Sequence, residues 1–156
     1  MTVTQQTVDG RPALRLERHL AHDVERVWRA VTEPAELARW FVVDDIGWIP
    51  QEGEEFDVAG EHGRITSCDP PHRLEWTWGR ERYSFELTAA SDGATTLVFT
   101  HVFSSELGPD YQHAAGWDGY FDRLEAHLAG GFLSEEDAHV DIEERIAGYR
   151  QRFAAT

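Results

Sequence analysis

In TTLVFTHVF (95–103) a histidine stands in the phase of leucine and phenylalanine. If the run is a strand, His101 points the same way as Leu97, Phe99 and Phe103, because side chains alternate with a period of two. A buried imidazole needs a partner. Three roles are open to it: a core histidine bonded to a neighbouring backbone or tyrosine, a polar anchor for a ligand carbonyl or phenol, or an acid/base group. The anchor ranks above catalysis, since no second catalytic group stands out. Tyr83 brings a hydroxyl into the same interior phase. Other titratable clusters carry less. His19 and His22 straddle a strand end and lack the i, i+4 spacing of a helical metal pair, so no metal is expected. His113, Asp118 and Asp122 fall on a helical segment whose solvated face explains the acids. There is no G-x-S-x-G, phosphate-binding loop or dinucleotide fingerprint in the sequence. No cofactor is expected, and an enzymatic role ranks last.

Around His101 the sequence is rich in rings. The stretch LEWTWGRERYSFEL (74–87) sets two tryptophans two residues apart, then repeats the spacing with Tyr83, Phe85 and Leu87. The chain holds six tryptophans, eight phenylalanines and four tyrosines. Such a face is either close-packed core or the wall of a pocket, where large rigid rings bury much area. Phe85 and Phe99, mid-strand, read as core. Trp78, near a strand end, and Trp117, at the start of a helical stripe, read as wall. An open space beneath Trp117 favours a ligand; a filled one favours a protein-interaction role.

These residues need elements to hold them. RPALRLERHL (11–20) alternates as a half-buried strand, with Leu14, Leu16 and Leu20 on one side. Residues 1–11 read as a polar lead-in. Asp23 caps a helix carrying Val24, Val27, Trp28 and Val31, and Pro34 opens a second that reaches Trp40 and Phe41. Residues 42–54 read as loop. Five short runs follow, at 54–60, 62–68, 73–79, 82–90 and 95–103, with SDG (91–93) turning the last pair into a hairpin. After Gly108-Pro109 the period becomes helical, with Trp117, Phe121, Leu124 and Leu128 in one stripe and Gly130-Gly131 as its stop. A further helix over 134–153 starts at Ser134 and packs through Ile142, Ile146, Tyr149 and Phe153. Gly116 and Gly119 inside the long helix suggest close approach to the sheet or to a ligand, since each weakens a helix by roughly 1 kcal/mol. The fold class is α+β: a curved antiparallel sheet closed by a long C-terminal helix.

The totals narrow the partners. With 14 basic against 29 acidic residues the formal charge is −15, which repels nucleic acid and anionic lipid. Cys68 is the one cysteine, so no internal disulfide forms. The N-terminal run MTVTQQTVDG lacks the charge and apolar core of a signal peptide. No apolar run reaches membrane-span length, so no membrane insertion is expected and a cytoplasmic location is the simplest reading.

Four segments, in order, resemble one family. HLAHDVERVWRAVTEPAELARWF (19–41) is similar to the opening of START-like (SRPBCC) helix-grip proteins. The closer resemblance is to the bacterial AHSA-type branch, named for the activator homologue of the ninety-kilodalton heat-shock chaperone's ATPase. GRITSCDPPHRLEWTW (63–78) resembles its strand–Pro–strand segment, GATTLVFTHVF (93–103) its Thr-His strand and GWDGYFDRLEAHLAG (116–130) its Gly-Trp final helix. His22 stands where that family often has proline. The resemblance implies a helix-grip domain over 12–130, about seven strands wrapped on the long helix; the further helix read from the residues beyond it makes 131–156 a helical extension packed on that domain. It also implies a cavity between sheet and helix that takes a lipid-like or aromatic, polyketide-like molecule. The expected lining is Trp28, Trp40, Phe56, Trp76, Trp78, Tyr83, Phe85, Phe99, His101, Trp117, Tyr120 and Phe121. The alternatives are a chaperone-cofactor-like module with a protein partner, and a cyclase or hydratase working in the same cavity. Oligomeric state stays open.

Overall fold

The computed structural model describes residues 2–104 and 109–155. Its seven strands form one antiparallel sheet in the order β1-β2-β7-β6-β5-β4-β3. They are β1 (Thr2–Val8), β2 (Arg11–Leu20), β3 (Glu55–Val58), β4 (Glu61–Asp69), β5 (Arg73–Trp78), β6 (Glu81–Ala89) and β7 (Thr95–Val102). Two short helices, α1 (Val24–Thr32) and α2 (Pro34–Trp40), join β2 to the loop before β3. The long α3 (Asp110–Leu128) lies across the sheet and packs against β2 and α2. This is the expected α+β helix-grip architecture. Asp23 caps α1 by accepting from the Arg26 N–H at 2.7 Å, and Pro34 sits in the first turn of α2.

Residues 2–8 are not the loose lead-in that their polarity suggests. They form β1, paired with β2 from Thr2↔Glu17 to Val8↔Arg11. Only Val3 enters the core, so the strand shows no apolar alternation. The legible signal was Asp9-Gly10. Both residues have positive φ, +52° and +77°, as a two-residue hairpin turn between twisted strands requires.

The segment 134–153 also differs from one continuous helix. α4 (Glu135–Ala138) is a single turn capped by Ser134, whose Oγ accepts from the Asp137 N–H at 3.0 Å. The chain then bends at 139–141 and restarts as α5 (Ile142–Ala154). His139 makes the bend. Its ring bonds the Glu135 carbonyl through Nδ1 at 2.7 Å and the Gly116 carbonyl through Nε2 at 3.0 Å. Gly119 makes room for it: a Cβ there would lie 2.4 Å from His139 Nε2 and 3.0 Å from the Ala138 carbonyl oxygen. The close approach expected of this glycine is real, but its neighbour is α4. A Cβ on Gly116 would meet open space. Gly119→Ala will therefore destabilise the protein by roughly 1–3 kcal/mol, the usual cost of overpacking, while Gly116→Ala will not. Denaturant titration of the two variants measures both.

α5 packs on α3, with Tyr149 buried and Ile142, Ile146 and Phe153 half-buried against the core. It covers the helix face that had read as solvated. Asp118 is 5% exposed and accepts from the Tyr149 hydroxyl at 2.6 Å, and Asp122 pairs with Arg145 at 2.8 Å. Burial raises the Asp118 carboxyl above its ordinary value, against the Tyr149 bond and the Arg18 charge. Arg18, in phase with Leu14, Leu16 and Leu20, turns inward from β2 and meets Asp122 at 3.1 Å and Glu125 at 2.6 Å. Arg123 ties α3 to the end of α2 through the carbonyls of Arg39, Trp40 and Phe41.

Candidate ligand site

The strand register lines the rings up in rows across the sheet. Ile65, Trp76, Tyr83, His101 and Leu14 stand opposite one another in successive strands; Leu74, Phe85, Phe99 and Leu16 form the next row. α3 lays Trp117 and Phe121 over them. Trp117 lies 4.6 Å from Phe99, 5.9 Å from Phe41 and 6.1 Å from Tyr83 by ring centroids. The space beneath Trp117 is thus taken up by rings. Phe121 sits on Phe99 at 5.1 Å and on Trp40 at 5.5 Å.

His101 is 2% exposed and both its nitrogens are engaged. The Trp117 indole N–H donates to Nδ1 at 3.1 Å. An indole nitrogen only donates, so Nδ1 is bare and the ring proton sits on Nε2. Nε2–H donates to Glu81 Oε1 at 2.7 Å, and Glu81 Oε2 accepts from the Ser104 N–H at 2.7 Å. Burial lowers the His101 pKa against the pull of Glu81, so this is a neutral imidazole on a carboxylate. For Glu81, burial alone would raise the carboxyl; the bonds from His101 and Ser104 outweigh it and hold it below the ordinary value. Of the roles open to His101, the geometry displays the paired one, with Glu81 and Trp117 as its partners.

Tyr83 differs. Its ring lies 4.5 Å from that of His101 and 5.4 Å from Trp76, and it is 7% exposed. Its hydroxyl makes no hydrogen bond to any described residue. Burial, with the nearby charge of Glu81, pushes its pKa up, so the hydroxyl stays protonated as a donor. Tyr83 and Trp78 line an open cleft of about 560 Å³ at the β5–β6 turn, with Glu61, Gly79, Arg80, Glu81 and Ser104. Trp78 is half-buried and fixed by its indole N–H to the Val58 carbonyl at 3.1 Å.

The twelve residues expected to line one cavity therefore divide. Trp78 and Tyr83 face the cleft. His101 and Trp117 stand behind Tyr83. Trp40, Phe85, Phe99 and Phe121 are packed interior, as is Trp76, which stacks with Tyr83. Phe56 packs edge-on against Trp48 at 5.1 Å. Tyr120 turns toward α4, bonding Glu135 and meeting the His139 ring. Trp28 is half-buried on α1 against the core margin. Sequence reasoning missed Glu81, although it shares the inward phase of Tyr83, Phe85 and Leu87. It also missed Trp48 and Ile46, which lie in the loop yet are 3% and 6% exposed. Loop composition gave no sign of them.

A seven-stranded antiparallel sheet gripping a long helix, with two short helices after the first hairpin, defines a START-like helix-grip protein. The chain belongs to the family of activator of Hsp90 ATPase homolog 1-like proteins, whose model matches residues 21–129. Among solved structures it is similar to CalU16 from Micromonospora echinospora, with a TM-score of 0.76, 24% identity and coverage of 96% of this chain and 94% of that one. It is also similar to DynU16, a protein of the dynemicin biosynthetic locus, with a TM-score of 0.64, 26% identity and coverage of 77% and 48%. The Aha1 dimer from Colwellia psychrerythraea gives a TM-score of 0.63, 19% identity and coverage of 74% and 95%. No curated protein matches the chain.

Proposed function

We propose that this protein binds a hydrophobic small molecule, aromatic and polyketide-like or lipid-like, at the cleft walled by Trp78 and Tyr83. The observation that carries the reading is the Tyr83 hydroxyl. It is a protonated donor on a largely buried ring that no described residue engages, facing a cleft of about 560 Å³. A ligand carbonyl or phenol that accepts from it gains a hydrogen bond worth about 0.5–1.5 kcal/mol. The indole face of Trp78 supplies the apolar contact, at about 25 cal/mol per Å² of area removed from water before binding costs. The volume falls within the range of small-molecule sites, about 300–1,000 Å³. Glu81 and His101 hold the wall behind Tyr83 and select against an anionic group there. The place of DynU16 in a biosynthetic locus supports a small-molecule role.

The test is a tryptophan fluorescence titration with neutral polycyclic phenols and with fatty alcohols. Saturable quenching at micromolar ligand is expected, with Tyr83→Phe and Trp78→Ala each weakening binding by about tenfold or more, the equivalent of one lost hydrogen bond or ring contact. Binding that ignores both substitutions defeats the reading.

The filled space beneath Trp117 favours a second reading, a protein-interaction module. The family description points to a chaperone partner, and the acidic surface suits a basic partner face. A protein partner would bind with a strong dependence on salt, whereas a neutral ligand in the cleft would not.

A further inference from the structure

The cleft at the β5–β6 turn is walled by carboxylates as well as rings. Trp78 and Glu81 stand directly opposite each other across that turn. Glu61, the first residue of β4, reaches over it from the other side: its Oε2 lies 2.8 Å from where a Cβ on Gly79 would stand. Both carboxylates line the cleft. Among the described residues, the one basic group within ion-pairing distance of either is His101, 2.7 Å from Glu81, and burial keeps that imidazole neutral. Yet Glu81 is only 9% exposed. A carboxylate held so far from water is ordinarily paired with a cation, because an isolated buried charge is costly. Here two neutral donors hold it, the His101 ring and the Ser104 N–H, and its remaining open side is the cleft. A second feature points to the same place. Tyr83 is 7% exposed and lines the cleft, and its hydroxyl engages no described residue. The Tyr83 and Trp78 rings form a corner, 6.3 Å between centroids and 46° between planes, and the faces of such rings attract cations. Arg80 is the one cation among the described lining residues; it is exposed, and it stands against two carboxylates.

We infer that the hydrophobic ligand of this cleft carries a protonated amine, held by Glu61 and Glu81 while its apolar body lies on Trp78 and Tyr83. This rests on the ligand-site reading above and narrows it to one class, hydrophobic amines. The ammonium supplies Glu81 with the cation that its own surroundings lack, through a charge-assisted hydrogen bond. Tyr83 remains the donor to a neighbouring acceptor on the same molecule. The formal charge of −15 on the chain draws a cationic ligand in from a distance and repels an anionic one.

Calorimetric titration of the full chain with probes that share one ring system tests this: naphthylmethylamine, naphthylmethanol and naphthoate. The amine should bind about tenfold more tightly than the alcohol, the equivalent of one charge-assisted hydrogen bond, and naphthoate should bind most weakly. The ratio of amine to alcohol affinity should shrink as salt rises. Glu61→Gln, at an exposed position, should cut that ratio by about threefold, as expected of a solvent-exposed ion pair. Glu81→Gln should cut it further. Because Glu81 also holds His101, a Glu81→Gln chain that fails to fold leaves Glu61→Gln to decide. Equal affinity for amine and alcohol overturns the inference and leaves the ligand site standing. Naphthoate binding as tightly as the amine overturns it too, as does a ratio that neither substitution lowers. Silence from all three probes removes both the inference and the ligand-site reading beneath it.

Discussion

Replacing Trp117 with alanine will cost the protein about 3–5 kcal/mol, the range for cutting a large aromatic out of a packed core. Its position at the start of the helical stripe suggested a cavity wall, but its ring is enclosed by Phe41, Tyr83, Phe99 and Phe121. Alanine removes those contacts and leaves His101 Nδ1 buried without a donor. Trp117→Phe separates the two effects. It keeps a six-membered ring but loses the N–H and the rest of the indole, so it should fall between Trp117→Ala and the parent, with about 1–3 kcal/mol of its cost from the unsatisfied His101 acceptor. Trp78→Ala should cost about 1–2 kcal/mol, below the packed-core range, because one side of the indole faces the cleft. Phe85→Ala and Phe99→Ala belong with Trp117. Denaturant titration of these variants ranks them. Equal losses at Trp78 and Trp117 would mean that both rings are core, or both wall.

The second large effect is acid lability, in two stages. His101 is held neutral by burial, and His113 is lowered by burial and by the neighbouring His101. Both keep their folded pKa below the unfolded value of about 6.5. Their contribution is complete above that value and is lost as pH falls from it toward the folded pKa, because the unfolded chain takes up protons first. His101 alone supplies a slope of up to about 1.4 kcal/mol per pH unit. Glu81 follows lower down. Its folded pKa is also depressed, so its contribution stands above its ordinary value of 4.5 and disappears as pH falls through the folded pKa. The Arg11 charge, which lowers His101, acts in the same sense. Asp118 acts in the opposite sense: burial raises it, so protonation relieves its desolvation as the solution becomes acid. Stability measured from pH 8 to pH 4 should therefore decline from about pH 6.5 downward. His101→Gln, less stable at neutral pH, should flatten the first stage. A flat profile between pH 7 and pH 5 would contradict a neutral, buried His101.

Much of this was legible in the chain. Alternation placed β2 and β4 to β7, the cap and proline placed α1 and α2, and the Trp117 stripe placed α3. The inward phase of His101 and Tyr83 was legible too. The same phase rule applied to charged residues would have turned Glu81 and Arg18 inward, supplying the partner of His101 and the anchor of α3. β1 was hidden because an edge strand with one core residue has no amphipathic pattern; only Asp9-Gly10 betrayed it. The break between α4 and α5 was not local at all. It depends on His139 fitting over Gly119, a contact between residues twenty positions apart. Whether the aromatic face enclosed a void was equally out of reach, since Ile46 and Trp48 join Phe41 in filling the space from a loop whose composition reads as solvent-exposed.

The central claim is that a hydrophobic ligand binds beside Tyr83 and Trp78. Chemical-shift mapping of the isotope-labelled protein against a panel of lipids and aromatic natural products tests it most directly. The account predicts saturable shifts centred on the Trp78 indole, Tyr83, Glu81 and Ser104, with smaller changes reaching His101 and Trp117 through their hydrogen bonds. A panel without any saturable response, or shifts centred on α5 or another surface away from the β5–β6 turn, would contradict it.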